Sequence, residues 1–335
     1  CCVKSYDKVN ILDAIRRECE PGIKVEFVKS REGHILDPVT VQEADVVIVC
    51  AGFTSIDEGE CYDRSWELPY RQDALIRSAA GLNPRTIVVL VTGSDVETES
   101  WLANVPALLH GFFLGQQAGT AVSEVLFGWT NPSGKLPFTM ARRWDDIMAA
   151  RFYVRRPEKT SLSRCIGPQG ISGFRKIRAM RYGEKLMVGY RHFDTNRVAP
   201  QFPFGFGLSY TTFDLSKPTL SSRILKPGES LTVTLTVTNT GPRAGAEVVQ
   251  LYLGDREAAL TRPLQELKGF TKIHLAPGDN AEVGFTITVE HLSYYDPTRH
   301  QWVAEPGLFA LRIGTSSRRI LYEEEFALSS SCSEP

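Results

Sequence analysis

Two patterns of hydrophobic and polar positions divide the chain into an N-terminal and a C-terminal part. In residues 1–140, apolar runs such as 44–52 and 86–91 alternate with segments of helical spacing such as 8–18 and 70–80. An unbroken apolar, β-branched run bounded by turn residues predicts a fully buried parallel strand. We therefore predict an α/β domain over 1–140, in which flavodoxin-like layers of helices flank a mostly parallel sheet.

The same part of the chain contains weaker signals. A short strand is predicted at 24–28, a third central strand within 105–113 and a helix through 120–126. Cys50, near the end of the first apolar run, is predicted to be a small core residue. No strand precedes the helix at 8–18, so we expect the sheet to lack its first strand and to be completed by chain outside this sequence.

The C-terminal part changes to strict alternation of apolar and polar residues. Residues 231–238, 248–253 and 283–289 alternate in this way, and Pro-Gly and Thr-Gly turn signals separate them. Many short alternating strands without helices predict an all-β sandwich of immunoglobulin or fibronectin type III kind over 213–330. Residues 141–212 are predicted to be a long surface excursion and linker, and their basic content fits a solvated loop better than a site for an anionic partner.

The composition excludes several classes of partner. The 335 residues carry a formal net charge of −1, which argues against nucleic acid or an anionic membrane as the main partner. No apolar run approaches the roughly 20 residues that a membrane span requires. The histidines and cysteines show no ligand-like spacing, and no glycine-rich phosphate loop follows a strand, so we predict no metal and no cofactor.

Acidic residues crowd the turn that follows the first apolar run. The turn spans 55–64 and contains Asp57, Glu58, Glu60 and Asp63 beside Tyr62 and Arg64. Ligands of open α/β sheets bind beyond the carboxyl ends of the strands, and neighbouring carboxylates favour a protonated member, as a general acid requires. We predict Glu60 as the proton donor with Glu58 as the alternative, against the plain interpretation of a solvated acidic loop. Asp63 and Arg64 are expected to organise the loop.

Two aromatic residues near the same edge are candidates for binding substrate. Trp66 and Trp101 lie in or near the loops that follow the predicted strands, where an indole ring can stack on the face of a sugar. Core packing explains either residue at least as well. Cys61 lies beside Glu60, but no histidine is near it in sequence, so a catalytic thiol is not supported.

Several motifs together resemble the C-terminal portion of glycoside hydrolase family 3, the β-glucosidase-like enzymes. In the first part these are Glu58-x-Glu60-x-x-Asp63-Arg64, Pro106-Ala107-Leu108, Gly115-Gln116 and Asn131-Pro132-Ser133-Gly134-Lys135-Leu136-Pro137. Later motifs are Val188-Gly189-Tyr190-Arg191-His192-Phe193, Phe204-Gly205-Phe206-Gly207-Leu208-Ser209-Tyr210 and Pro263-Leu264-Gln265-Glu266-Leu267. The resemblance covers nearly the whole chain.

The resemblance implies a retaining β-glycosidase that hydrolyses terminal β-linked sugars of a glycoside or oligosaccharide. In that family an Asp nucleophile comes from an N-terminal (β/α)₈ barrel, and the acid/base Glu comes from the loop that Glu60 occupies here. Cys61 stands where many members have glycine, which keeps Glu58 open as the alternative. The barrel is not in this sequence, so we expect it to be a partner segment, separate or cleaved from the same enzyme. A homodimer stays open, and the resemblance favours a secreted or periplasmic location.

Two other classes of protein stay open at this point. A non-catalytic module would bind carbohydrate or a protein partner through the predicted sandwich. A small-molecule binder of flavodoxin-like type would use the crevice at the edge of the parallel sheet, although the missing phosphate loop counts against it.

Overall fold

A computed structural model of the chain describes residues 7–58, 64–152 and 182–334. The chain divides into two compact units. The first, which we call the α/β unit, comprises Cys1–Trp129 and Met140–Gly183. The second, the sandwich unit, comprises Thr130–Thr139 and Glu184–Pro335. Among the residues described, no helix is both long and apolar enough to cross a lipid bilayer.

The α/β unit alternates helices and strands. Its helices are α1 (Ile11–Glu18), α2 (Pro38–Glu43), α3 (Gln72–Leu82), α4 (Glu99–Leu102) and α5 (Ala118–Leu126). Its strands are β1 (Ser30–Arg31), β2 (His34–Ile35), β3 (Val47–Gly52), β4 (Thr86–Val91) and β5 (Ala107–His110). Strands β3, β4 and β5 pair in that order as a parallel sheet, while β1 and β2 form a short antiparallel pair. The predicted parallel sheet is therefore confirmed.

Strand β4 is central, and the strand predicted at 86–91 is confirmed. Val88, Val89 and Leu90 have no exposed surface, whereas Ile87 and Val91 are half-buried, so the predicted full burial holds for the middle of the strand. The core on one face of the sheet contains Val49, Ala51, Ile76, Ala79, Val88, Leu90 and Trp101. Most of these residues come from β3, β4 and α3, so the sheet and α3 form two packed layers.

The prediction of full burial is wrong for the first apolar run. Strand β3 lies at an edge of the sheet and alternates: Val49 and Ala51 are buried, whereas Cys50 is exposed. Val46, just before the strand, is 51% exposed. Cys50 is therefore not a core residue. At the end of the strand, the side chain of Gln72 accepts a hydrogen bond from Gly52 N (2.6 Å) and donates one to Gly52 O (3.1 Å). The amide thus occupies the open edge where a neighbouring strand would pair.

The short strand predicted at 24–28 is also wrong. These residues form no regular structure, and Phe27 is exposed. An alternating segment becomes a strand only if another strand pairs with it, and none of the described residues does so here. The helix predicted through 120–126 is confirmed as α5, and the strand predicted within 105–113 is confirmed but shorter, since β5 ends at His110.

Among its described residues, the sandwich unit contains two short helices and sheets that are antiparallel except for one parallel pair of strands. The helices are α6 (Tyr190–Thr195) and α7 (Val289–Leu292). The strands are β6 (Phe213–Leu215), β7 (Thr219–Leu220), β8 (Ile224–Leu225), β9 (Leu231–Asn239), β10 (Gly245–Asp255), β11 (Glu266–Leu275), β12 (Asn280–Ile287), β13 (Tyr294–Asp296), β14 (Gln301–Ala304), β15 (Gly307–Gly314), β16 (Ile320–Leu328) and β17 (Cys332–Glu334). The parallel pair is β8 with β16.

Two sheets of this unit share one core. One sheet has the order β11-β10-β15-β16-β8, and the other pairs β12, β9 and β6, with β7 also on β9. Along β9 every second side chain points inward and is buried, as the alternation in the sequence predicts. The shared core includes Leu231, Val233, Leu235 and Val237 from β9 and Leu251, Phe309, Leu311 and Phe326 from the facing sheet. The predicted all-β sandwich is confirmed.

Candidate active site at the carboxyl edge of the parallel sheet

Three loops meet where the parallel strands end. One loop follows β3 and contains the acidic turn, one follows β4, and one follows β5. Gly93, in the loop after β4, marks the meeting point. A β-carbon placed on Gly93 would lie 2.9 Å from Cε2 of Phe113 and 3.0 Å from Oε1 of Glu58. Side chains from the first and third loops thus reach the backbone of the second, at the edge where α/β sheets bind ligands.

A network of hydrogen bonds fixes the first half of the acidic turn. The backbone N–H and the hydroxyl of Thr54 both donate to Oδ2 of Asp57, at 2.9 and 2.7 Å. The hydroxyl of Tyr70 donates to Oδ1 of the same carboxylate at 2.7 Å. Desolvation raises the pKa of Asp57, but these hydrogen bonds outweigh it and leave the pKa lowered. Asp57 is therefore an ionised structural acid and not a proton donor.

Arg64 anchors the second half of the turn. Its guanidinium group donates to the hydroxyl of Ser94 and to the carbonyl oxygen of Asp95 (2.6 Å), both in the loop after β4. The same group lies 4.6 Å from the ring centroid of Phe53, directly after β3. The side chain is only 13% exposed. Arg64 thus ties the returning limb of the turn to the ends of two strands, as predicted for a residue that organises the loop.

Glu58 points inward from the other limb. Its Oε1 lies 3.4 Å from Nε of Arg64, so the two limbs of the turn are joined by an ion pair across residues 59–63. Its Oε2 is buried and accepts no hydrogen bond from any described residue. Glu60, the first candidate for the proton donor, lies outside the described residues, as do Cys61, Tyr62 and Asp63.

Asp95, whose carbonyl oxygen accepts from Arg64, also has a side chain that contacts the backbone of residue 141. Its Oδ2 accepts a hydrogen bond from the backbone N–H of Ala141 at 3.0 Å. Burial raises its pKa from an ordinary 3.8 to about 6, because desolvation of the carboxylate outweighs the hydrogen bond from Ala141 and the attraction of Arg64. An aspartate after a Gly-Ser pair is also typical of a surface turn, so the sequence does not single out this half-buried carboxyl group.

The loop after β5 follows a half-buried histidine, His110, the last residue of that strand. Nε2 of His110 lies 3.2 Å from the hydroxyl of Thr92, and its ring lies 4.2 Å from the ring of Phe112. Burial lowers the pKa of His110 to about 4, so its imidazole is neutral at neutral pH. Phe112 has a φ of 52°, which is rare for an aromatic residue. This left-handed residue turns the chain, and the next side chain, Phe113, is 53% exposed.

The two predicted stacking residues lie in different surroundings. Trp101 has no exposed surface, and its indole N–H donates to Oδ1 of Asp73 at 3.0 Å. It is a core residue, so its ring offers no face to a sugar. Trp66 is half-buried, and its ring lies 6.1 Å from that of Trp144 in a tilted arrangement. The structure therefore leaves Trp66 nearer to the surface of the edge than Trp101.

The chemistry of this edge is that of carboxyl groups and aromatic rings. Among the residues that the structure describes, no group of His, Cys, Asp and Glu side chains is arranged to hold a metal ion. Carboxyl groups beside a partly apolar rim suit proton transfer to or from a bound molecule, since such surroundings adjust pKa values toward neutrality.

Comparison with known proteins identifies relatives of the chain. Residues 3–210 match the Glycosyl hydrolase family 3 C-terminal domain, and residues 247–317 match a fibronectin type III-like domain. Beta-glucosidase BoGH3A of Bacteroides ovatus is 39% identical over 280 residues, which are 83% of this chain and 35% of that protein. Thermostable beta-glucosidase B of Acetivibrio thermocellus is 35% identical over 327 residues, 97% of this chain and 40% of that protein.

Solved structures agree with these relatives. The GH3 beta-glucosidase of Bifidobacterium adolescentis superimposes with a TM-score of 0.80 at 32% identity, over 96% of this chain and 46% of that one. Beta-glucosidase 3B of Thermotoga neapolitana, solved in complex with glucose, gives 0.78 at 29% identity, over 100% and 48%. The chain thus spans between about a third and a half of the length of these relatives. Because the first match alone covers more than half of its residues, the chain belongs to glycoside hydrolase family 3 and comprises the C-terminal domain of that family with a fibronectin type III-like domain.

Proposed function

We propose that this chain provides the general acid/base carboxyl group of a retaining β-glycosidase that hydrolyses terminal β-linked sugars. An N-terminal (β/α)₈ barrel, separate from this chain or cleaved from the same precursor, provides the Asp nucleophile and most contacts to the sugar. The observation that carries the proposal is the acidic turn held at the carboxyl edge of the sheet by Arg64. The names of the relatives, all beta-glucosidases, support the substrate class.

Glu60 is the acid/base residue of this proposal. The surroundings of Glu58 support the choice, because one of its oxygens faces Arg64 and the other is buried. The carboxylate of Glu58 cannot approach the oxygen of a leaving group without breaking its ion pair with Arg64. Glu60 follows two residues later in the sequence and is the remaining glutamate of the turn.

The reaction requires two carboxyl groups that act in turn. In a retaining glycosidase they lie roughly 5–5.5 Å apart on either side of the anomeric carbon. The carboxylate from the barrel attacks that carbon while Glu60 donates its proton to the departing oxygen. Glu60, now ionised, then removes a proton from water, which attacks the glycosyl-enzyme ester and releases the sugar. The role of this chain is to hold one carboxyl group at the distance that both steps share.

Substitution of Glu60 tests the proposal in the enzyme assembled from this chain and its barrel segment. Glu60→Gln should lower kcat about 10²- to 10⁴-fold on methyl β-glucoside, whose leaving group needs a proton. On 2,4-dinitrophenyl β-glucoside, kcat/KM should fall much less, because this leaving group needs no proton. Its kcat should still fall, because the attack of water loses its general base, and azide, which needs no base, should restore that kcat with β-glucosyl azide as the product. Glu58→Gln is the matched control. A fully active Glu60→Gln enzyme and an inactive, azide-rescued Glu58→Gln enzyme would transfer the role to Glu58.

A further inference from the structure

We propose that a cleft on the sandwich unit binds β-linked gluco-oligosaccharides, with residues that the proposed acid/base chemistry does not use. The cleft lies between helix α7 and the sheet formed by β13, β14 and β17. It is lined by side chains from the helix, from the residue that follows it and from two of these strands: Val289, Glu290, Ser293, Trp302 and Cys332. Binding of a glycan in this cleft requires no hydrolysis, so it does not depend on the proposed glycosidase activity.

The cleft has the size and the fixed walls of a site for a small ligand. Its volume of about 310 Å³ is at the lower end of the roughly 300–1,000 Å³ that such sites span, which suits a sugar residue. The start of α7 is fixed because the backbone N–H of Thr288 donates to Nδ1 of His291 at 3.1 Å. Leu292, at the end of α7, is 1% exposed and belongs to the core that the two sheets share. The wall is therefore formed before a ligand binds, which lowers the entropic cost of binding.

Two exposed aromatic rings stand together at the cleft. Tyr295 of β13 and Trp302 of β14 are directly opposite each other in the antiparallel pair, so both side chains lie on one face of the sheet. Their ring centroids are 5.8 Å apart, and the rings meet at 70°. Tyr295 is 48% exposed and Trp302 is 53% exposed. Single apolar residues are ordinary on a protein surface, but a pair of large aromatic rings beside a cleft with polar groups marks a binding surface.

The polar groups of the cleft are suited to hydroxyl groups. None of the described residues forms a hydrogen bond with the carboxylate of Glu290 or with the indole N–H of Trp302. The hydroxyl of Ser293 donates to the carbonyl oxygen of Val289 at 3.0 Å, and its oxygen can still accept. The cleft thus offers acceptors and a donor beside an aromatic surface, while the carboxylate of Glu290 disfavours anionic ligands.

The shape of β-linked glucose matches this combination. Its hydroxyl groups lie around the rim of the ring, and both of its faces present C–H groups. One face can therefore stack on the indole of Trp302 while rim hydroxyls bond to Glu290 and Ser293. An α-linkage places its oxygen on one face and keeps that face away from an aromatic ring. The relatives are beta-glucosidases, which is consistent with a β-linked glycan as the occupant.

Calorimetric titration of this chain with cellopentaose tests the proposal. We expect a Kd of about 0.1–1 mM, as for a shallow site with one stacking ring, and at least about 10-fold weaker binding of the α-linked isomaltopentaose. Trp302→Ala should weaken the binding of cellopentaose at least about 10-fold, and Trp302→Phe should retain most of it. Glu290→Ala should weaken it about 3- to 10-fold through the loss of a charged acceptor. Phe270→Ala is the matched control, because Phe270 is 68% exposed in the same unit and does not line the cleft.

The thiol of Cys332 reports directly on the cleft. Cys332 lines the cleft and is free and half-buried, and Cys19 of the α/β unit is also free and half-buried. Saturating cellopentaose should slow the alkylation of Cys332 by iodoacetamide at least about 3-fold and leave that of Cys19 unchanged. Mass spectrometry of the digested chain measures both rates, and this readout does not depend on how a substituted chain folds.

Three results would overturn the proposal. The first is the absence of cellopentaose binding at millimolar concentration, and the second is binding that persists unchanged in Trp302→Ala. The third is a rate of Cys332 alkylation that cellopentaose does not alter. A dimer that Trp302→Ala dissociates and cellopentaose does not, measured by sedimentation, would instead assign the aromatic surface to a second copy of this chain.

Discussion

The sandwich and the parallel sheet bury their strands in different ways. In β9 of the sandwich, the inward side chains Leu231, Val233, Leu235 and Val237 are at most 3% exposed, and a second sheet covers them. In β3 of the α/β unit, one face packs on α3 while Cys50 stays exposed, as does Val46 just before the strand. The two sheets of the sandwich thus cover each other's apolar side chains. The parallel sheet instead keeps exposed side chains along β3 and at the carboxyl edge, where the candidate site lies. Stability and function are therefore expected to depend on different regions.

The same substitution in each region gives the largest expected contrast. Phe309 is 1% exposed and stacks on Phe326 with ring centroids 5.8 Å apart, so Phe309→Ala should lower the free energy of unfolding by about 3–5 kcal/mol. Phe113→Ala, at the exposed rim, should change it by less than about 0.5 kcal/mol. Urea unfolding of the chain, followed by circular dichroism, measures both. Similar losses from the two variants would mean that the rim packs as a core.

Two anchoring arginines extend the contrast to electrostatics. In the sandwich, Arg262 pairs with Asp255 at 3.2 Å, and both side chains are less than a tenth exposed. Arg262→Ala leaves a buried carboxylate without its partner and should destabilise the sandwich by about 3 kcal/mol. Arg64→Ala should instead lower kcat of the assembled enzyme about 10²-fold, because the acidic turn loses its anchor and the proton donor its position.

Conservative variants distinguish positioning from folding. Arg64→Lys keeps the charge but loses the planar fork of N–H donors. It should therefore recover part of kcat without restoring the paired hydrogen bonds to Ser94 and Asp95. The loss in Arg64→Ala should be larger for methyl β-glucoside than for 2,4-dinitrophenyl β-glucoside, because only the first requires protonation. An equal loss on both substrates, with a parallel loss of stability, would make Arg64 a structural residue without a role in positioning the acid.

Much of the sandwich was predictable from sequence because its signal is local. Each residue of 231–238 alternates with its neighbours, and the partner strands lie within the same chain. The exposed face of β3 was not predictable, because an apolar run indicates burial without indicating which layers cover it. Residues 130–139 carry a turn signal, but only the structure shows the 2.6 Å contact from Lys135 to Glu247 that joins this segment to the sandwich unit.

The candidate site was predictable in outline and not in detail. The acidic residues follow a predicted strand directly, so the order of the chain places them at the carboxyl edge of the sheet. The same order places Arg64 at the end of the turn, where it was expected to organise the loop. Phe113 was missed since it lies in the apolar segment 105–113, where it resembles a strand residue. The turn that exposes it depends on a left-handed Phe112, and no glycine or asparagine marks that position in the sequence.

The half-buried carboxyl group of Asp95 makes the stability of the α/β unit depend on pH in a defined direction. The pKa of Asp95 is raised to about 6 in the folded protein and is ordinarily 3.8. Between these values the unfolded chain has released the proton and the folded chain retains it, so this group favours folding as the pH falls from 7 to 4. Asp95→Asn removes this effect because an amide does not titrate. Its oxygen can still accept the hydrogen bond from the backbone N–H of Ala141, so the contact is kept without a charge.

The expected difference is therefore between variant and parent. Relative to the parent, Asp95→Asn should gain about 2 kcal/mol of stability as the pH rises from 4 to 7. Urea unfolding at several pH values measures it, and Asp214→Asn, on the exposed side of β6 in the sandwich, is the control. A gain that grows toward low pH would mean that the carboxylate is stabilised when ionised and that its pKa is lowered by Arg64.

The smallest expected change in stability concerns the exposed face of β3. It tests whether that face stays exposed when this chain is assembled with its barrel segment. In this chain alone, Cys50→Ser should change stability by less than about 0.5 kcal/mol because the side chain is exposed. Ala51→Ser, at the next residue, places a hydroxyl group in the core and should cost about 1–3 kcal/mol. If Cys50→Ser becomes as costly as Ala51→Ser once the barrel segment is bound, the outer face of β3 is an interface, and its exposure belongs to the isolated chain. If the two costs stay apart, the strand keeps an open face in the working enzyme, and the difference from the sandwich is a property of the α/β unit itself.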